Sequence, residues 1–209
     1  MRRFDGDWWA YFARHYLRDM VFAANDGLVT TFAVVAGVRG AGFSPLVVMA
    51  LGFANIAADG ISMAAGNYLG VKSERECEMG SGFLEWEESV HAAKHGVVTW
   101  FAFVVAGLLP LGPFLLGSAP AAAFAVSTCL TLAGLFGVGA VRGVVTGRAW
   151  WRTGLEVLAV GLVAGAAAFG AGLVVERVTA GAGRLPAVPG PPSSARPAWM
   201  LGVLLESIT

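Results

Sequence analysis

Long apolar runs separated by short polar segments dominate this chain. Five runs have the roughly 20 residues that a helix needs to cross the hydrocarbon layer of a bilayer. They cover residues 20–40, 45–71, 96–117, 119–141 and 154–176. Between the third and fourth runs, the segment LPLGPFLLGSAP contains prolines and no charge, which predicts a loop closing a tight helical hairpin. The pattern predicts an all-α integral membrane protein with five transmembrane helices.

Composition narrows the class of protein further. Of the 209 residues, 56% are hydrophobic and 13% are charged, which is too apolar for a soluble domain of this size. The formal net charge is zero and no basic cluster occurs, so nothing indicates a nucleic-acid partner. The chain has no nucleophile–base set, phosphate loop or ATP motif. An enzyme is therefore not expected, and no resident cofactor is expected.

The distribution of Lys and Arg predicts the orientation in the membrane, because loops on the cytoplasmic side carry most of these residues. One set of loops contains most of them and should be cytoplasmic, together with the N-terminus: Arg2, Arg3, Arg14, Arg18, Lys72, Arg75, Lys94, Arg142, Arg148 and Arg152. The other set contains only Arg39 and three arginines of the C-terminal tail. The short loops and the absence of organelle signals favour a bacterial inner (plasma) membrane.

Three regions follow from these patterns. Residues 1–19 alternate charged and aromatic side chains, which is typical of an amphipathic interfacial segment. Residues 20–176 form the transmembrane domain, with residues 72–95 as a short acidic cytoplasmic connector. Residues 177–209 are rich in Pro, Gly and Ser along much of their length and should be a disordered tail.

Two aspartates, Asp26 and Asp59, interrupt the first two apolar runs. A carboxylate in the hydrocarbon layer costs about 2.5–3.5 kcal/mol, so such a residue indicates a partner, a cavity or an ion. On the second run, Asn55, Asp59 and Met63 recur at helical spacing and share one face. This polar stripe is either a packing seam with a few hydrogen bonds or a ladder of ligands along a pore. A thioether beside carboxylates favours first-row ions such as Fe²⁺ or Mn²⁺.

The connector concentrates acidic residues and two histidines. Glu74 and Glu78 are one turn apart, and the spacing of Glu87, His91 and His95 would suit a divalent metal. The connector is either a solvated amphipathic segment or a funnel that raises the local cation concentration. Its candidate metal ligands are Glu74, Glu78, Glu85, Glu88 and His91.

Two segments, NDGLVTTFAVVAGV (25–38) and ANIAADGISMAAGNYLGVKSE (54–74), resemble the vacuolar iron transporter family, and residues 147–172 do so more weakly. The resemblance implies a homodimer with an ion pathway at its two-fold axis, lined by the first two spans. It also implies export of Fe²⁺, and often Mn²⁺, from the cytosol in exchange for protons. Asp26 matches the pore aspartate of the family and Met63 matches its pore methionine.

Two departures from the family pattern bear on mechanism. Many eukaryotic members have a glutamate where this chain has Asn55, and here a carboxylate follows one turn later, at Asp59. Those members also carry a long cytoplasmic metal-binding domain, of which this chain keeps about 25 residues. Only a reduced glutamate cluster is therefore expected. The alternatives are a membrane scaffold that moves no ion, or an exporter of another divalent ion such as Zn²⁺ or Co²⁺.

Overall fold

The computed structural model describes the backbone of residues 7–79, 86–116 and 119–181, and the side chains of residues 15–77, 89–116 and 119–180. Every regular element in these residues is an α-helix: α1 (Asp7–Gly40), α2 (Pro45–Met79), α3 (Trp86–Leu115), α4 (Pro120–Val145) and α5 (Trp150–Gly181). All five helices are long and apolar enough to cross a membrane. The predicted class, an all-α integral membrane protein with five transmembrane helices, is confirmed.

The helices extend past the predicted spans. Because α1 begins at Asp7, part of the predicted interfacial segment continues directly into the first span as one helix. Helix α2 also continues past its predicted span and ends at Met79. The predicted helix break at Gly80-Ser81-Gly82 and the predicted disorder of the tail from residue 182 onward lie outside the described residues.

The prolines between the third and fourth spans are helical, which corrects the predicted loop. Helix α3 runs through Pro110 and Pro113 and ends at Leu115, so the connection to α4 is shorter than expected. Prolines are tolerated inside membrane helices because neighbouring side chains can satisfy freed backbone groups. Here the hydroxyl of Ser127 on α4 donates to the carbonyl oxygen of Pro110 at 2.7 Å, which fastens the hairpin.

Helix α1 lies at the centre of the bundle and packs against the other four helices. At Gly27 the backbone of α1 lies very close to the backbone of α3. A Cβ atom added to Gly27 would lie 2.5 Å from the carbonyl oxygen of Phe103, so only glycine fits at this contact. Buried side chains of α1, α2 and α3 form the core around this contact: Phe32, Val35, Ala36, Val48, Ile56 and Leu111.

Helix α2 is less enclosed than α1 and α3. It packs mainly against α3 and α1, and 22% of its apolar window is buried, the same share as in α4 and α5. Its outward face is exposed and combines large apolar side chains with a row of small residues: Ala50, Ala54, Ala58, Ser62 and Ala65. The polar stripe predicted for α2 lies at the edge of this outward face.

Candidate functional site

The predicted stripe of α2 is half-buried along its length. Asn55, Asp59, Met63 and Asn67 are each neither fully exposed nor fully enclosed. A Cβ atom added to Gly66 would meet no other atom within 4 Å, so this glycine of the stripe is not needed for packing inside the chain. Gly66 therefore borders open space, whereas Asn67 beside it is hydrogen-bonded to α3.

Asp26 on α1 and Asp59 on α2 are both half-buried, in membrane-spanning helices that pack against each other. Among the described side chains, none donates a hydrogen bond to the Asp26 carboxylate. The hydroxyl of Thr30, one turn further along α1, donates at 2.8 Å to the backbone oxygen of Asp26 instead. Two neighbouring helices thus each carry a half-buried carboxylate inside a membrane span.

Three buried polar atoms near this pair lack hydrogen-bond partners among the described residues. They are Nδ2 of Asn55, Oδ1 of Asn25 and Oγ1 of Thr31. Buried polar atoms in proteins are usually satisfied, so unsatisfied ones need an explanation such as a water molecule or an ion. Asn55 was predicted as a site residue, whereas Asn25 and Thr31 were not. The sequence did contain a signal for Asn25, because its polar amide directly precedes Asp26 inside an apolar run.

Met63 lines a cavity of about 250 Å³ between α1, α2 and α3, and we call this the methionine cavity. The residues lining it combine a thioether with polar and charged groups: Arg18, Asp19, Phe22, Met63, Gly66, Asn67 and Thr99. Asn67 is fixed there, because its Nδ2 donates to the hydroxyl of Thr99 at 2.6 Å. The thioether is therefore accessible from a polar cavity, as a soft metal ligand would need to be.

Asp19 is paired, unlike Asp26. His95 on α3 is buried, and its Nδ1 lies 2.5 Å from Oδ2 of Asp19. The Nε2 of the same ring lies 3.3 Å from Nε2 of His91, one turn earlier on α3. Helices α1 and α3 are thus joined by a chain of carboxylate, imidazole and imidazole.

A second cavity, of about 490 Å³, opens beside these rings, and we call it the histidine cavity. It contains all three histidines of the protein, His15, His91 and His95. It shares Arg18, Asp19, Gly66 and Asn67 with the methionine cavity. The two cavities are therefore adjacent, and together they extend from His91 to Met63.

The acidic connector is only partly described. Glu74 is exposed and lines the histidine cavity. Glu78 and Glu88 lie on α2 and α3, but their side chains are outside the described residues, and Glu85 is outside them altogether. His95 was predicted to group with Glu87, but Nδ1 of its ring contacts the Asp19 carboxylate. Within the described part of the chain, no group of three or more His, Cys, Asp or Glu side chains is arranged to hold a metal ion.

A sequence profile decides the family. The profile of the VIT family matches residues 17–88 and 77–173, which together span all five helices. The chain belongs to the VIT family. Both segments that carried the resemblance, 25–38 and 54–74, fall inside the first matched range, so that prediction is confirmed.

Curated VIT family relatives resemble this chain over most of its length. Vacuolar iron transporter 2 of Oryza sativa subsp. japonica is 26% identical over 79% of this chain and 90% of its own length. Vacuolar iron transporter 1 of Arabidopsis thaliana is 27% identical over 78% of this chain and 88% of its own length. A shorter match, to the vacuolar iron transporter of Toxoplasma gondii, reaches 41% identity over 73 residues. These relatives are transporters by name, in agreement with the expectation that the chain is not an enzyme.

Proposed function

We propose that this protein transports divalent transition metals across a membrane, with Fe²⁺ as the main ion and Mn²⁺ as a second one. The observation that carries the proposal is that two adjacent membrane-spanning helices each hold a half-buried carboxylate, Asp26 and Asp59, without a hydrogen-bond donor among the described side chains. The names of the curated VIT family relatives support the choice of iron.

A bound cation explains why the repulsion between Asp26 and Asp59 is retained. Two like charges in a medium of low dielectric constant are unfavourable unless an ion of opposite charge lies between them. Asn55, whose amide lacks a partner, lies one turn from Asp59 on the stripe, and Met63 lies one turn away on the other side. Oxygen and thioether ligands in one path suit a first-row ion better than Ca²⁺ or Mg²⁺.

The route that we propose begins at the acidic connector. Glu74, Glu78, Glu85, Glu88 and His91 would gather the ion at the membrane surface. The ion would then pass through the histidine and methionine cavities, which share four lining residues, to the thioether of Met63. From there it would pass between Asp26 and Asp59 and leave beyond Asn55. With the predicted orientation, this is export from the cytosol.

The exposed face of α2 supports a homodimer with the pathway at its axis. Small side chains allow membrane helices to approach closely, and Ala50, Ala54, Ala58 and Ser62 recur on this face at intervals of one turn. A second copy packed there would enclose the half-buried stripe. The single pathway would then be lined by α1 and α2 of both copies.

Exchange for protons follows from the same carboxylates. When the metal leaves, the two facing aspartates are again unfavourable as a doubly charged pair, and a proton taken up from the outside relieves the repulsion. When the next ion arrives from the cytosol, it displaces that proton toward the cytosol. Protons and metal therefore move in opposite directions.

The test is metal flux into proteoliposomes with an acidic interior. Fe²⁺ or Mn²⁺ is added outside, and a metal-quenched dye trapped inside records uptake by the wild type and by Asp59→Asn. We expect uptake that requires the pH gradient and fails in Asp59→Asn. Glu156→Gln is the matched control, because it removes an exposed carboxylate on α5 that lies away from the stripe.

The outcomes separate the parts of the proposal. If uptake persists after a protonophore collapses the pH gradient, metal transport would stand but the proposed exchange for protons would be wrong. Equal uptake by wild type and Asp59→Asn would remove Asp59 from the pathway. No flux of either metal in dimers that are folded by circular dichroism would favour the scaffold that moves no ion.

A further inference from the structure

The two histidines of α3 are held in the geometry of metal ligands. We propose that His91 and His95 bind a divalent transition metal through their Nε2 atoms, with Asp19 as the residue that positions His95. The site lies in the histidine cavity, next to the methionine cavity and apart from the carboxylate pair. Its role as the site where the pathway is loaded rests on the proposed function, whereas metal binding by the histidines does not.

The distance between the two rings fits a shared ion. Two nitrogen ligands at about 2.0–2.1 Å from a tetrahedral metal lie about 3.3–3.4 Å apart. The Nε2 atoms of His91 and His95 are 3.3 Å apart. The same separation is within hydrogen-bond distance, so a proton on Nε2 of His91 would join the two rings when no ion is bound. The ring planes meet at 69°, and both nitrogens border the same cavity.

Asp19 selects the tautomer of His95 that can bind metal. A proton on Nδ1 of His95 is donated to the Asp19 carboxylate, so in the neutral ring the lone pair of Nε2 is directed toward His91. A carboxylate behind a metal-binding histidine orients the ring and increases its basicity as a ligand. His91 needs only to carry its proton on Nδ1 for its own Nε2 to bind.

The ring of His95 is also fixed from the backbone side. The hydroxyl of Thr99 donates to the His95 carbonyl oxygen at 2.8 Å, and the same hydroxyl accepts from Nδ2 of Asn67 on α2. All three helices that border the cavities therefore hold this position. A ligand that is fixed before the ion arrives loses little conformational freedom on binding.

The remaining surroundings favour an exchangeable site. Among the described side chains, two nitrogens, those of His91 and His95, lie at the spacing of metal ligands, so water would complete the coordination and the ion could leave readily. Arg18 and Arg75 also line the cavity, and the charges of Asp19 and Glu74 offset theirs. A site that stores metal tightly would need more protein ligands. A site that passes the ion on to Met63 must bind it weakly and leave it partly hydrated.

The test is ¹⁵N NMR of imidazole nitrogens in the full-length protein, labelled at histidine and titrated with Zn²⁺ in detergent. The chain has only three histidines, so three sets of signals are expected, and they report on no carboxylate site. We expect Zn²⁺ to shift the Nε2 signals of His91 and His95 and to leave those of His15 in place. The variants His15→Gln and His91→Gln assign the signals.

The second measurement separates positioning from folding. Asp19→Asn keeps a hydrogen-bond acceptor for His95 but removes the charge, and we expect Zn²⁺ affinity to fall by about 10–100-fold with the helix content unchanged. Equal affinity in Asp19→Asn would overturn the role of Asp19. Shifts at His15 in place of His91 and His95, or no response of any imidazole, would overturn the site itself.

These results are independent of transport. Zn²⁺ binding at both histidines in a protein without Fe²⁺ flux would leave the site standing and remove the proposed function. Metal flux in a protein whose imidazole signals do not respond to Zn²⁺ would leave the proposed function standing and remove the histidine site.

Discussion

Two aspartates on α1, Asp19 and Asp26, are separated by two helical turns but have opposite environments. The side chain of Asp19 is 11% exposed, and its carboxylate contacts Nδ1 of the buried His95. Asp26 is half-buried and receives no hydrogen bond from a described side chain, and the neighbouring helix α2 carries a second half-buried carboxylate, Asp59. One carboxylate has a partner within the chain, and the other has none among the described side chains.

The difference shows that the helix bundle can supply a partner for a buried carboxylate. A histidine from α3 is that partner for Asp19. The lack of such a partner at Asp26, among the described side chains, is therefore a feature of that position. Unsatisfied groups commonly mark functional sites, where stability has been given up for activity. The contrast supports the positioning role that we propose for Asp19 and the role in ion passage that we propose for Asp26.

The largest expected effect comes from Asp26→Asn, which removes the charge at nearly constant shape. Metal flux into proteoliposomes should fall on the order of 100-fold or more, since loss of a supporting group alone costs about 10–100-fold in affinity. At the same time the repulsion with Asp59 disappears, so the Tm in detergent should rise, by about 2–4 °C. Flux and thermal unfolding are measured on the same preparation.

The matched control for this variant is Glu156→Gln on α5, which also replaces a carboxylate by its amide. Its carboxylate is 57% exposed and lies 3.7 Å from Arg142, so flux should be unchanged and the Tm nearly so. A lower Tm for Asp26→Asn would mean that the Asp26 charge is stabilised by a partner, and the contrast with Asp19 would be lost.

For Asp19→Ala we expect the Tm to change in the opposite direction. Removing the carboxylate leaves the buried Nδ1 of His95 without an acceptor, which costs about 1–3 kcal/mol. The Tm should fall by about 4–8 °C, as expected for about 2 kcal/mol in a protein of this size. Thermal unfolding of the purified protein measures it.

A double-mutant cycle with His95→Ala separates the pair from the rest of the cavity. If Asp19 acts through His95, the double variant should be less destabilised than the sum of the two single variants. Additive effects would show that Asp19 stabilises α1 through other contacts, and its pairing with His95 would then not explain the contrast with Asp26.

The sequence was sufficient for the helical class and for the number of spans. Five long apolar runs determine five helices because only a helix satisfies its own backbone in hydrocarbon. Asp26 and Asp59 were recognisable because each carries a charge inside such a run, which is costly wherever the neighbouring helices lie. Periodicity likewise placed Asn55, Asp59 and Met63 on one face of α2.

The pairing of Asp19 with His95 was beyond sequence reasoning. The two residues are separated by 76 positions, and Asp19 lies where the aromatic and charged N-terminal segment meets the first apolar run, so it looked like an interfacial residue. The spacing of His95 suggested Glu87 instead, because spacing detects only partners on the same helix. The helical course of Pro110 and Pro113 was missed because prolines without nearby charge are typical of a loop, whereas the contact of α4 with this segment, from Ser127 to the Pro110 carbonyl oxygen, joins two helices.

The smallest effect is expected for Thr30→Val, and it tests whether the Asp26 carboxylate truly has no donor. The Thr30 hydroxyl is one turn from Asp26 but donates to its backbone oxygen, which is already part of the helical hydrogen-bond pattern. Valine has nearly the same shape, so flux should stay within about twofold and the Tm within about 2 °C of the wild type. A loss of flux comparable to that of Asp26→Asn would show that the hydroxyl turns to the carboxylate during transport. Asp26 would then have a hydrogen-bond partner, as Asp19 has, and its affinity for metal would depend on Thr30 as well as on Asp59.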